Sequence, residues 1–542
     1  MTLRFFHCFA SVLLLLSVSS LALAQGRAVL QDAQLQQLGL QKTWSTQLPI
    51  GAKGAKLSSL AQAISPDDMQ TVFEVKHQGR STMFSSRDLS PFGKPLGVEG
   101  AKAKADQFVA RLDQSKEKPE LVEHQVPEVL LLAQSSSGVL TALDGQTGRK
   151  LWSQLPGQAF YPSQKASADA KYVATVNGLT LYVLHRENGE LFWKRNLSGP
   201  PTAGAVVGDG HIYAPLMNGI IEIFDLQDAT KPVGRFQSYG QIFANPTITE
   251  ATVMWPTNRG FVYAGNSFDD KFRYRIEATG EVIASTTHLA PSLNFFATTS
   301  GYVYCIYQRD GRIEWRRSYG EPIVASVPAI DDIAYVVLQR GGMHAVEAYT
   351  GKEMWYVPGV SQFLAVSGEY VYVLDKSQRI LKLEKASGAL MGQLSVRDFD
   401  YFYTNLESDR LILGTLSGVL YVLQETGKEF PQVHIPLKTG DEEEVPAEEE
   451  TEKPEEPMEE TTKPADGNPF GGGGNPFGGG GGSNPFGGGN PFGGGSGGND
   501  ASGGSSDSSN PFGGGGGSNP FGGSNPFGGD DSGGAMDNPF GN

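Results

Sequence analysis

Cysteine is almost missing from this chain: 542 residues carry only Cys8 and Cys305. Cys8 falls inside an apolar leader, so one thiol remains in the mature chain. That excludes an intramolecular disulfide and any cysteine-based metal site. Cys305 sits in the alternating apolar stretch "GYVYCIY", the setting of a buried structural thiol. Long hydrophobic runs are also scarce, and none beyond the leader is long enough to span a bilayer core of about 30 Å. Excess positive charge is absent too. Residues 1–440 hold 41 Lys plus Arg and 41 Asp plus Glu, and the whole formal charge of −16 falls on residues 441–542. A balanced folded part argues against nucleic acid as its main partner. The eight histidines, such as His185 and His211, show no metal spacing. No phosphate loop, nucleophile elbow or H-E-x-x-H occurs.

The first 24 residues read as a secretory signal. Arg4 supplies the positive start, Val12–Leu16 is the apolar centre, and Ala22-Leu23-Ala24 is a small-residue cleavage site before Gln25. The alternative is an uncleaved membrane anchor. The expected location is periplasmic, cell-envelope or extracellular, with no transmembrane span after signal removal.

An internal repeat organises the middle of the chain. Eight units pair two short strands across a polar turn, from "GVLTALDGQTGRKLW" at Gly138 to "GVLYVLQETGKEF" at Gly418. Gly219, Gly260, Gly301 and Gly342 are spaced 41 residues apart. A period near 40 belongs to a propeller blade or a helical solenoid. The strands are β-branched and aromatic with no helical spacing, which selects the propeller. Closing the array into a ring protects its strand edges. Gly148, Gly189, Gly311, Gly351, Gly388 and Gly427 mark the turn, where a hairpin needs positive φ. Four residues after the turn come Trp152, Trp193, Trp315 and Trp355, with Phe430 one residue early in a shorter unit. One large aromatic per unit suits packing between neighbouring blades. Asp144 and Asp225 end their strands as hairpin stabilisers. The expected fold is all-β: a monomeric β-propeller over 128–438 with eight four-stranded blades, or seven with a stray hairpin.

The pattern Ala142-Leu143-Asp144, Thr147-Gly148, Trp152 resembles the quinoprotein-type propeller repeat, over about residues 128–430. The resemblance implies that the Trp docks one blade on the next. That family includes quinone-cofactor alcohol dehydrogenases and a non-catalytic propeller lipoprotein of outer-membrane assembly. The dehydrogenases use adjacent cysteines and a calcium ion. The cysteine pair is absent here and no calcium set is assignable, so no catalytic, cofactor or metal residues are expected.

Residues 25–127 form an expected appendage. "QTVFEVKHQG" and "STMFSSRDLSPFGKPLG" read as a divergent strand pair. Residues 101–115 read as a short helix with Phe108, Val109 and Leu112 on its apolar side. Trp44 in "TWSTQLP" echoes Trp152 in "LWSQLP", so this strand could complete a blade from the far end of the chain. The expected partner-binding face gathers Phe160, Tyr161, Phe243, Phe363, Tyr401 and Tyr403 from segments that precede the innermost strands. The competing expectation is packing between blades.

From 439 the composition changes. Residues 439–466 are Glu- and Pro-rich, with 13 acids from 441 onward. Residues 467–542 are Gly-, Ser- and Asn-rich, with eight Asn-Pro-Phe copies ending at Phe470, Phe477, Phe486, Phe492, Phe512, Phe521, Phe527 and Phe540. Too little apolar surface is present to offset chain entropy, so the composition implies a disordered tail. Asn-Pro starts a turn that presents Phe, and repetition on one tether gives avidity. A solvated spacer is the alternative. The expected function is a non-catalytic scaffold binding protein partners. The alternatives are a quinone-dependent oxidoreductase with an atypical site and a carbohydrate- or small-ligand-binding propeller.

Overall fold

Aspartate and glycine set the turns. Asp144 Oδ1 accepts hydrogen bonds from the Gln146 and Thr147 N–H groups at 2.8 and 2.9 Å. Asp225 Oδ1 does the same for Gln227 and Asp228, at 2.9 and 2.8 Å. Through this one carboxylate oxygen each Asp fixes the reversal between two strands.

The structure, a computed structural model, describes residues 30–434 apart from 52–53, 113–116, 250 and 429. The leader and all eight Asn-Pro-Phe motifs lie outside the described residues. Eight antiparallel sheets follow one another as the blades of a propeller. Blade 1 contains Leu57–His77, Glu120–Ser135, Leu140–Asp144 and Lys150–Gln154. Blades 2 to 7 span 167–196, 206–237, 247–277, 287–318, 329–358 and 360–395. Blade 8 takes Tyr401–Phe402, Leu411–Gly414 and Val419–Glu425, and its outermost strand is Leu40–Gln47 from the other end of the chain.

Because each blade is covered on both faces, its middle strands are buried throughout. Ile212, Tyr213 and Ala214 are all inaccessible, as are Val253, Met254 and Trp255. This is why those segments read as continuous apolar runs rather than alternating ones. The outer strands face solvent along much of their length, as Ile313–Ser318 shows. The antiparallel order sends successive connections to opposite ends. Blade-to-blade crossovers share one end, the crossover end, with the turns between second and third strands. The other two connections of each blade occupy the turn end.

The ring begins earlier than the sequence suggested. Leu57–Ser65 is the innermost strand of blade 1, paired from Leu57↔Ser135 to Ser65↔Glu128. The boundary at 128 is therefore corrected: Leu57–Ser65 belongs to the propeller, while Leu40–Gln47 completes a blade from the far end as the Trp44 echo suggested. "LSSLAQAIS" is built of small and polar residues, so it lacks the β-branched signal of a strand. Between its two halves, blade 1 carries an insertion at the turn end. Met69–Lys76 pairs with Glu120–Pro127, and Val72–His77 pairs with Arg80–Ser85. The helix Gly97–Val109 closes a small core of Phe73, Val75, Phe84, Ala101 and Ala105, with Phe108, Val109 and Leu112 packed against it.

Each recurring tryptophan reaches the next blade through its indole N–H. Indole N–H groups donate to a carbonyl just past the third strand of the next blade: Trp152 to Arg186 at 2.7 Å, Trp193 to Leu226 at 2.9 Å, Trp315 to Ala348 at 2.8 Å and Trp355 to Lys385 at 2.9 Å. The rings of Trp152, Trp315 and Trp355 also lie on that blade's turn glycine, Gly189, Gly351 and Gly388. A Cβ at Gly189 (φ +72°) would stand 2.6 Å from the Trp152 ring. Tyr274 replaces the indole in blade 4, donating from its hydroxyl to Gln308 O at 2.7 Å. Blade 3 uses Phe236, whose ring lies tilted 4.8 Å from Trp255 of blade 4.

Phe430 is not a docking residue. It lies beyond the last strand and rests 4.3 Å from the His124 ring of the insertion. The outer strand of blade 8 comes from the N-terminal side, so Trp44 takes the docking place and donates to Gly145 O at 2.9 Å. Blade 7 has no docking side chain, because Gly392 stands there. Leu38, after the helix Asp32–Gln37, fills that space against Leu394, Val396 and Leu411.

Candidate protein-docking face

Phe160 is 97% exposed, and the chain around it is pinned. The buried Asn177 side chain accepts the Gln158 N–H at 2.9 Å and donates to Gln158 O, Tyr161 O and Ser163 Oγ at 3.1, 3.1 and 2.9 Å. Gly157 adopts φ +89°, and a Cβ there would lie 2.2 Å from Asn177 Oδ1, so the turn admits only glycine. A large apolar side chain is thus held out in water by a fixed loop. Tyr161, 53% exposed, stands beside it.

Further exposed apolar side chains share the crossover end. Leu179 and Met217 sit on the turns between second and third strands of blades 2 and 3. Tyr239 and Phe243, 63% and 48% exposed, lie on the crossover from blade 3 to blade 4. That loop is also tied down: the Gln241 N–H donates to Asn258 Oδ1 at 2.8 Å, and the Tyr239 N–H to the Tyr263 hydroxyl at 3.0 Å. Exposed hydrophobes are ordinary and the turn end has its own, such as Phe92 and Phe268, so what marks this end is the rigid tethering of the loops that carry Phe160 and Phe243.

The other three expected face residues are packing residues. Phe363 is 2% exposed and lies 5.1 Å from Tyr335 between blades 6 and 7. Tyr401 and Tyr403 join blade 8 to blade 1, their hydroxyls accepting the Leu60 and Gln62 N–H groups at 3.1 and 3.3 Å. Burial raises both phenols. Tyr239, Leu179 and Met217 were missed, because their segments carry no aromatic cluster that sequence alone would single out.

Segments flanking the innermost strands of blades 2 and 8 bring charged groups together. Lys165 Nζ of blade 2 stands 5.8 Å from the Tyr403 ring. Glu407, on blade 8, has a shielded Oε2 without a hydrogen-bond partner. Burial pushes its carboxyl up to about 7, against the pull of Lys165 and Arg186. The folded chain therefore holds a proton on Glu407 that the unfolded chain, near the ordinary 4.5, has released. Its stabilising contribution is full below about pH 4.5 and is lost as pH rises to about 7. Glu407→Gln is expected to flatten this part of the profile. Melting curves from pH 4.5 to 8 check it, and parallel profiles for parent and variant contradict it.

Among the described residues, no group of three or more His, Cys, Asp or Glu is placed to hold a metal ion. Cys305 is buried, and desolvation pushes its thiol up to about 12, far from a nucleophile at neutral pH. No helix among them is long and apolar enough to cross a membrane.

The sequence matches a PQQ-type repeat family described as outer membrane protein assembly factor BamB, at residues 107–284, 217–356 and 299–444. These overlapping matches cover more than half of the chain. The chain belongs to this family. Members of the BamB family share the repeat that builds the blades seen here. Among solved structures, BamB from Moraxella catarrhalis is 16% identical, with a TM-score of 0.47, covering 55% of this chain and 92% of that one. The computationally designed Ika8 protein and the C-terminal WD40 domain of Sif2 are each 13% identical, with a TM-score of 0.45, covering 54% of this chain and 92% of theirs. No curated protein matches.

Proposed function

We propose that this chain is a non-catalytic scaffold of the cell envelope that docks a protein partner on the crossover end of blades 2 to 4. The carrying observation is Phe160, exposed on a loop that Asn177 and Gly157 hold rigid. A preorganised aromatic loses little entropy on binding, which is the property of an interface anchor. Membership of a family described as an outer membrane assembly factor supports an exported setting and a protein partner. The Asn-Pro-Phe tail is the second handle, a set of eight linked ligands.

Paired Phe160→Ala and Tyr161→Ala substitutions test the face. Stability is expected to stay within about 0.5 kcal/mol, as for exposed positions. Recovery of the partner that co-purifies with the full chain is expected to fall at least about tenfold, the loss of one interface anchor. Phe363→Ala is the control, expected to cost about 3–5 kcal/mol through its buried ring. Unchanged recovery with the Phe160 and Tyr161 pair contradicts the proposal.

A further inference from the structure

The insertion of blade 1 walls a cleft at the turn end, with the hairpins of blade 2 on the other side. The cleft measures about 770 Å³, within the range of small-ligand sites, about 300–1,000 Å³. Gln70 and Arg87 come to it from the insertion, Glu128 from the strand below, and Lys171 and residues 185–190 from the blade 2 turns.

Its buried groups offer more donors than acceptors. Glu128 Oε1 meets two guanidinium groups, Arg87 Nη1 at 2.7 Å and Arg186 Nε at 2.9 Å. Neither arginine has another carboxylate within ion-pair distance among the described residues. The Arg186 side chain is only 3% exposed, and its other two nitrogens donate to the Asp169 and Ala63 carbonyls at 2.6 and 3.3 Å. Burial lowers the Arg186 guanidinium from its usual range; Glu128 opposes that and the Arg87 charge adds to it. Two cations that share one anion in a shielded place leave a charge unanswered. Gln70, 4% exposed, adds a second shortage. Its Oε1 accepts from Ser85 Oγ at 3.3 Å, but its Nε2 is shielded and has no acceptor. A buried amide nitrogen carries two donors that call for an acceptor oxygen.

The exposed groups carry the opposite excess. Asp68, Glu187 and Glu190 reach solvent and make no ion pair among the described residues, with Lys171 beside them. An extended polyanion would meet these carboxylates and be repelled. A compact anion with a cationic remainder answers both halves, and Met69, Pro95 and Tyr172 add apolar lining for its carbon atoms. We infer that this cleft binds a zwitterion of the amino-acid or short-peptide class, its carboxylate held by Gln70 and Arg87 and its ammonium facing the exposed acids. The site lies at the other end of the ring from Phe160, so it is a second binding function beside partner docking.

The test titrates lysyl-alanine into the full chain by calorimetry, with its carboxyl-amidated form and inorganic phosphate as comparison probes. Saturable binding of lysyl-alanine is expected, with the amide and phosphate each weaker by at least about tenfold, the loss of one charged contact. Arg87→Ala is expected to weaken lysyl-alanine by a similar factor without lowering the melting temperature, because Glu128 keeps Arg186 as its partner. Glu187→Gln with Glu190→Gln is expected to weaken lysyl-alanine and to strengthen phosphate. Both positions are exposed, so this pair keeps the test decisive if Arg87→Ala melts early. Absence of lysyl-alanine binding overturns the inference, as does equal binding of its amide or indifference to the Arg87 and Glu187/Glu190 changes. Phosphate binding tighter than lysyl-alanine overturns the zwitterion in favour of a bare anion.

Discussion

Cutting Trp152 back to Ala is expected to lower the unfolding free energy by about 3–5 kcal/mol, the range for large buried aromatics. The residue is buried, and its ring lies across Gly189 of the next blade. Removal leaves a hole that a turn glycine cannot fill, since Gly189 has no side chain to move into it. The Arg186 carbonyl also loses its 2.7 Å donor at a buried position. An unsatisfied buried polar group costs about 1–3 kcal/mol within that total. Trp152→Phe is expected to cost less, because most of the ring volume stays. Trp315→Ala is expected near the lower end of the range, its ring being half-buried. Reversible denaturant unfolding decides the matter, and a loss below about 1 kcal/mol for Trp152→Ala contradicts interblade docking.

Deleting residues 25–48 is expected to abolish cooperative folding. The segment supplies the outer strand of blade 8, paired with Val419–Glu425 along its length. It also supplies Leu35, Leu38, Leu40, Trp44 and Leu48, all buried. Each such side chain contributes about 1.5–3 kcal/mol. Together they match the whole stability of an ordinary domain, about 5–15 kcal/mol. The loss falls on two junctions at once: Trp44 docks blade 8 on blade 1, and Leu38 fills the Gly392 gap between blades 7 and 8. The shortened chain is expected to lose its sharp melting transition and to regain it when the missing segment is added as a peptide. A sharp transition in its absence contradicts closure by this strand.

The fold was largely legible because the repeat writes itself into glycine spacing and one Trp per unit. The docking role of Trp152, Trp193, Trp315 and Trp355 follows from the same spacing. Three things were not legible. Leu57–Ser65 packs small side chains near the axis, where little width is available, so it lacks the bulky pattern of the other strands. Phe430 comes after its turn as Trp152 does; the echo of Trp152 in Trp44 pointed to a blade completed from the far end, as found, but the repeat alone does not say that this strand takes the place Phe430 would fill. Phe363, Tyr401 and Tyr403 precede middle strands just as Phe160, Tyr161 and Phe243 do. The two sets differ in which side of the crossover each residue falls on, and that depends on strand ends rather than composition. Asn177 could have been noticed only from its contacts, since an Asn before a turn glycine is ordinary in sequence.

The docking face is tested most directly by hydrogen exchange of the full chain, alone and with the partner that co-purifies with it. The account expects slowed exchange at 155–166, 178–179 and 238–246, the pinned loops of the crossover end. The turn-end loops at 226–233, 267–271 and 348–352 are expected to exchange alike in both states. Slowing confined to the turn end, with 155–166 unchanged, contradicts the account.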